Sequence, residues 1–127
     1  MKNKIPMIVL VLLSLALAIC LYVLFRLPAA LRDILELAKA EDVKVYAVER
    51  GEIPSTDPQN HTEVYGACFV CPKKILVDKD SVNMAYTVGH EMGHYLAITY
   101  EEDYSEQRAD EIAYELIFTG QYHKKSQ

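Results

Sequence analysis

Clustered positive charge is scarce in this sequence. Of 13 Lys and Arg in 127 residues, only Lys73-Lys74 and Lys124-Lys125 are adjacent, and the formal net charge is -5. Neutralising a phosphate backbone needs basic side chains gathered on one face, so a nucleic-acid-binding role is not expected. Cysteine is equally sparse. Cys20 lies in an apolar run and Cys68-Phe69-Val70-Cys71 stands alone. A four-ligand structural zinc site would need a second ligand pair at similar spacing, so Cys68 and Cys71 are left as a disulfide, half a zinc site or two free thiols. Free thiols on a half-buried strand are the plainest reading. No internal repeat or low-complexity tract is present. Acidic residues are missing from the first 26 positions, which carry +3 from Lys2, Lys4 and Arg26; the remaining 10 basic and 18 acidic residues give -8, which sums to -5.

That lopsided charge frames a long apolar segment. Residues 5–25 hold no formal charge, and at about 1.5 Å per residue such a run crosses a hydrocarbon core of about 30 Å. A cleaved signal peptide would have a shorter apolar region followed by small residues at the cut. Here Ile19 to Phe25 continue past Ala16-Leu17-Ala18, and Ile19 also spoils the faint lipoprotein-like pattern ending at Cys20. An uncleaved single-pass membrane helix over 5–26 is expected, after a short tail at 1–4. The positive-inside count is tied, with Lys2, Lys4 and the amino terminus on one flank against Arg26, Arg32 and Lys39 on the other.

Beyond the anchor the pattern predicts one α+β unit over 27–120, followed by a tail at 121–127. Pro28 suits the first turn of a helix over about 28–41, in which Leu31, Ile34, Leu35, Leu37 and Ala38 recur at helical spacing. Val43, Val45 and Ala47 alternate as on a strand. Gly51, Pro54, Ser55, Asp57, Pro58 and Asn60 mark a loop over 49–63. Strands follow at 64–70 and 74–77, tightly joined at Pro72. Ser81 or Asp80 is expected to cap a helix running to about Ile98, and Ser105 or Asp103 another that ends before Gly120.

The chemistry gathers in those last two helices. His90-Glu91-Met92-Gly93-His94 is an H-E-x-x-H pattern; on a helix its two imidazoles share a face and can meet one metal ion, with Glu91 one step round. The apolar stripe Met84, Val88, Met92 and Leu96 would bury that helix and bring the histidine pair beside the core. A catalytic zinc site needs a third protein ligand and an open fourth position. Glu106 and Asp110 also stand four apart, so one can bind metal while the other accepts the remaining ring N–H of a ligating histidine. Glu106 in a first turn is equally suited to the helix dipole. Glu101, Glu102 and Asp103 are rival ligands that read as a solvated acidic turn. His61 and His123, without partners at ligand spacing, read as surface residues. Ala109 and Ala113 would let the two helices approach closely, with a matching gap at Gly93.

Thr87-Val88-Gly89-His90-Glu91-Met92-Gly93-His94-Tyr95-Leu96 followed by Glu106-x-x-Ala109-Asp110-x-x-Ala113 resembles the ImmA/IrrE family of zinc peptidases, within the gluzincin group. The likeness runs from about residue 31 to 118. It implies a minimal zincin-like metallopeptidase domain of helix, small three-stranded sheet, active-site helix and ligand helix. It further implies that His90, His94 and Glu106 bind Zn2+, that Glu91 is the general base, and that Asp110 orients a ligand. Asp110 stands where that family more often has Asn, Ile112 where it has Phe, and the anchor is an addition. A zinc-dependent endopeptidase acting on a protein or peptide substrate is the expected function. The resemblance also inclines the domain toward the cytoplasmic side. Tyr65, Tyr86, Tyr100, Tyr104 and Tyr114 are all open as helpers of the oxyanion, and the strand around Ile75 as an edge for the substrate backbone. The alternative is a non-catalytic, zinc-stabilised binding or anti-repressor module of the same fold.

Overall fold

A computed structural model describes residues 4–54 and 66–126. The first helix, α1, runs unbroken over Met7–Ala40 with Pro28 inside it. The separate helix expected to start at Pro28 is therefore the continuation of the apolar one. The local reason is plain in the sequence: between Ser14 and Asp33 there is no Ser, Thr, Asp or Asn to cap a new start, and the carbonyl that Pro28 leaves unpaired belongs to an exposed turn around Leu24. Ala30, Ile34 and Ala38, at successive four-residue steps, bury one stripe of the far half of α1. The near half is exposed and is long and apolar enough to cross a membrane.

Three strands follow: β1 (Lys44–Val48), β2 (Gly66–Phe69) and β3 (Lys74–Asp78), in the spatial order β1-β3-β2. β1 pairs parallel with β3, and β2 pairs antiparallel with it. The strand around Ile75 is thus the centre of the sheet, hydrogen-bonded on both sides, and it offers no edge to a substrate. A short 3-10 turn, Arg50–Glu52, lies in the segment read as a loop; residues 55–65, with His61 of that loop and Tyr65 of the strand expected from 64, lie outside the described residues. Cys68 on β2 and Cys71 in the turn after it are free thiols, and burial, with the Glu91 charge adding, pushes Cys68 up to about 12.

Helix α2 (Met84–Glu101) is capped by Asn83, whose side chain accepts from the Tyr86 N–H. Ser81 does not cap it; its hydroxyl instead meets that of Thr87 at 2.6 Å. Helix α3 (Glu106–Thr119) begins at the cap Ser105 and stops at Gly120, whose φ of 72° suits glycine alone. Val88, Met92, Tyr95 and Leu96 of α2 meet Ile112, Leu116 and Ile117 of α3 and Ile34 of α1 in one core. Gly93 makes the α2–α3 approach possible, since a Cβ there would stand 2.4 Å from the Ala109 carbonyl oxygen.

Two polar ties complete the frame. Arg26 donates through Nε to the Ile117 carbonyl at 2.7 Å and through a terminal nitrogen to Asp33 at 3.2 Å, joining the end of α3 to α1. Glu101, read as part of a solvated turn, is buried: it takes Arg108 Nε at 3.0 Å, the Tyr122 hydroxyl at 2.8 Å and the Lys125 N–H at 3.1 Å. The segment after Gly120 therefore folds back on the domain.

Candidate metal centre

Helix α2 sets His90 and His94 one turn apart, and α3 lies against it with Glu106 at its first position. His90 Nε2 stands 2.9 Å from Glu106 Oε2, and His94 Nε2 stands 3.2 Å from Glu106 Oε1. One ligand atom from each of the three residues lies within 4.8 Å of the others, the one such group among the described residues. Zinc bonds of about 2.0–2.1 Å in a tetrahedral shell place ligand atoms about 3.3 Å apart, so the donor set fits the ion. The exposed Glu106 carboxylate also has room to turn toward it.

Asp110, one turn along α3 from Glu106, approaches the other face of the same imidazole: His90 Nδ1 lies 2.7 Å from its Oδ1. The Tyr86 hydroxyl donates to that oxygen at 2.5 Å. The Tyr86 bond holds the Asp110 carboxyl below its ordinary range, burial opposes this, and His90 adds to it. As an ionised acceptor, Asp110 requires Nδ1 to be the donor, which turns the Nε2 lone pair toward Glu106. His94 Nε2 faces the same carboxylate, so one ion could meet all three residues.

Glu91, on the same helix, is 7% exposed and lies close to β2: a Cβ on Gly66 would stand 2.8 Å from the Glu91 carboxylate. Among the described residues nothing donates a hydrogen bond to it. Burial pushes its carboxyl up to about 7, the nearby His90 opposing and Glu106 reinforcing the shift. His94 is held below its ordinary value by burial, against the pull of Glu106.

Of the five residues singled out from sequence, His90, His94, Glu106 and Asp110 are thus brought together, while Glu91, the residue after His90, is buried against Gly66 of β2. Glu102 closes α2 in a left-handed conformation, and Glu101 is consumed by Arg108, so neither joins them. Of the candidate tyrosines, Tyr65 lies outside the described residues, Tyr100 is tied to Glu41, Tyr104 is exposed ahead of α3, and Tyr86 reaches the centre through Asp110. Its position was legible, four residues before His90 and hence on the same face. Gly66 had no such signal, because its closeness to Glu91 arises from the sheet packing on α2. His123 is exposed and paired with Glu115. No family model, curated protein or solved structure matches this chain.

Proposed function

We propose that the protein is a membrane-anchored, zinc-dependent endopeptidase of the kind its resemblance to the ImmA/IrrE family implies. The observation that carries this reading is the convergence of His90, His94 and Glu106 beside a buried Glu91 to which none of the described residues donates a hydrogen bond. A purely structural site would have no use for that carboxylate, since burying an acid costs stability. Its presence favours catalysis over the non-catalytic binding module.

His90, His94 and Glu106 would hold the ion, and Asp110, steadied by Tyr86, fixes the His90 ring. When bound there, a zinc ion would lower the pKa of a coordinated water toward about 7 and polarise a scissile carbonyl. Glu91 takes the proton from the attacking water and delivers it to the leaving amine as the C–N bond breaks, giving a free carboxylate and amine. Burial suits it to this exchange, because a carboxyl near neutrality can both accept and return a proton. Strand β2 has β3 as its one partner among the described residues and borders Glu91, so its outer backbone would hold an extended peptide in place of the central strand first considered. Tyr86, whose hydroxyl is committed to Asp110, is a positioning residue.

The test is metal content together with turnover in the full-length protein in detergent. About one zinc per chain is expected. Glu91→Gln should keep the zinc and lose hydrolysis of a denatured protein substrate. Retained hydrolysis in that variant would remove Glu91 as the base, and stoichiometric zinc in a His90→Ala, His94→Ala double variant would move the site elsewhere.

A further inference from the structure

The three helices are in register in a way that fixes the height of the metal centre above the anchor. Gly89 lies against Ile34, and Tyr100 reaches Glu41, so α2 runs alongside α1 in the same direction. Arg26 bonds Ile117 at the end of α3, so α3 returns toward the anchor. The uncharged run ends at Phe25. Ile34 is nine residues further along the same unbroken helix, and its side chain leans back toward the N-terminus, so the level of Gly89 and His90 lies on the order of 10 Å above the apolar boundary. The polar layer of one bilayer leaflet is about 5–8 Å thick. A centre at that height opens just beyond the headgroups, and no flexible linker lets it rise.

Between anchor and centre lies a cavity of about 320 Å³. Val23 and Leu27 of α1, Tyr86 of α2 and Tyr114 and Phe118 of α3 form its apolar wall. The last two are half exposed, and aromatic rings of this kind sit well at a membrane–water boundary. Tyr86 is shared: it lines the cavity while its hydroxyl bonds Asp110, so the cavity lies within one helical turn of the metal centre. Arg26, the one cationic side chain lining it among the described residues, is turned to the Ile117 carbonyl and to Asp33. The volume is at the low end of the range for ligand sites, about 300–1,000 Å³, and suits a few apolar side chains.

We infer that this cavity receives the juxtamembrane segment of a second membrane-spanning polypeptide, and that the substrates are such chains, cut close to the bilayer surface. This inference rests on the peptidase and anchor readings above. An extended strand advances about 3.3 Å per residue, so a centre on the order of 10 Å up reaches bonds about three to five residues beyond the substrate's own span.

The experiment uses the full-length, zinc-loaded protein in phosphatidylcholine vesicles. One probe is a randomised 20-residue peptide library fused to a membrane span of 20 alternating Leu and Ala; the other is the same library without the span. Cuts crowded within about three to five residues of the span support the inference, whereas cuts spread evenly along the tethered library, or equal cleavage of the soluble one, overturn it while leaving the peptidase reading intact. Absence of any cleavage overturns both. A second readout is independent of turnover. In a Glu91→Gln protein with a benzophenone amino acid in place of Phe118, irradiation should join the protein to the segment next to the probe's span; adducts with lipid alone would assign the cavity to an acyl chain and overturn the proposal.

Discussion

Asp110 accepts hydrogen bonds from two residues of α2, Tyr86 and His90, and through the second it sets which ring nitrogen faces the metal ligands. Removing it should leave the ligands in place and their orientation loose. Asp110→Ala is expected to weaken zinc binding by about 10- to 100-fold, the range for groups that orient ligands. Tyr86→Phe should cost less, and Glu106→Ala, which removes a ligand, should cost more. Competition with a chromophoric zinc chelator ranks the series; a loss in Glu102→Ala exceeding that in Glu106→Ala would show that the wrong carboxylate has been assigned. The thiols give a separate test of β2. Cys68, pushed up by burial, should resist iodoacetamide at pH 8 until the protein is unfolded, while exposed Cys71 reacts at once. Equal labelling of the two in the native protein would contradict the packing of β2 on α2. At this scale the ligand residues were readable because a helix converts a four-residue spacing into a shared face. The burial of Glu101 was not, since its partners Arg108, Tyr122 and Lys125 come from two later segments whose return no local pattern announces.

Helix α3 is held to α2 by small residues on one side and by a buried ion pair at one end. Gly93→Ala would drive a methyl group into the Ala109 carbonyl, at a cost of about 1–3 kcal/mol or more, and it should loosen zinc binding as well because Glu106 and Asp110 move with Ala109. Thermal unfolding in detergent with and without zinc measures both effects. The Glu101–Arg108 pair sets a pH dependence. Burial pushes the Glu101 carboxyl up, but the bonds from Arg108, Tyr122 and the Lys125 N–H outweigh it and hold the carboxyl below its ordinary value. A folded-state value below the unfolded one of about 4.3 means that stability is present above that pH and lost as pH falls through the lower, folded value. Glu101→Gln should therefore lower the melting temperature at pH 7 and flatten its fall between about pH 5 and 2. An unchanged acid limb would remove Glu101 as a contributor. Arg108→Ala, which strands the acid, should cost about 3–5 kcal/mol. The order of elements was readable from period and turn residues; the sheet order β1-β3-β2 was not, because apolar alternation marks a strand's faces and says nothing about which neighbours flank it.

At the scale of the whole molecule the decisive feature is that the helix long enough to cross a membrane and the first core helix are one rod. A proline and a basic residue at the end of an apolar run read as a boundary, yet Ala30, Ile34 and Ala38 are buried by α2 and α3, and Arg26 is bonded to the end of α3, so both sides of Pro28 are held in one helix. The apolar run should keep the full-length chain in the membrane pellet after alkaline carbonate extraction; a soluble form beginning near Ile19 would mean that the run is cleaved. Continuity also makes the geometry adjustable. A Glu-Glu-Lys-Lys segment inserted between Phe25 and Arg26 would add about 6 Å and one turn of helix beyond the uncharged run, leaving every domain contact from Arg26 onward in place. Val23 would leave the cavity wall and the metal centre would rise farther from the bilayer. Zinc content and melting temperature should then match the parent protein, while cuts in a span-tethered peptide library should shift outward by about two residues, since an extended chain advances about 3.3 Å per residue. An unshifted cut pattern in the folded, zinc-loaded insertion variant would show that the domain is not held at a fixed height, and that the substrate is selected by its sequence alone.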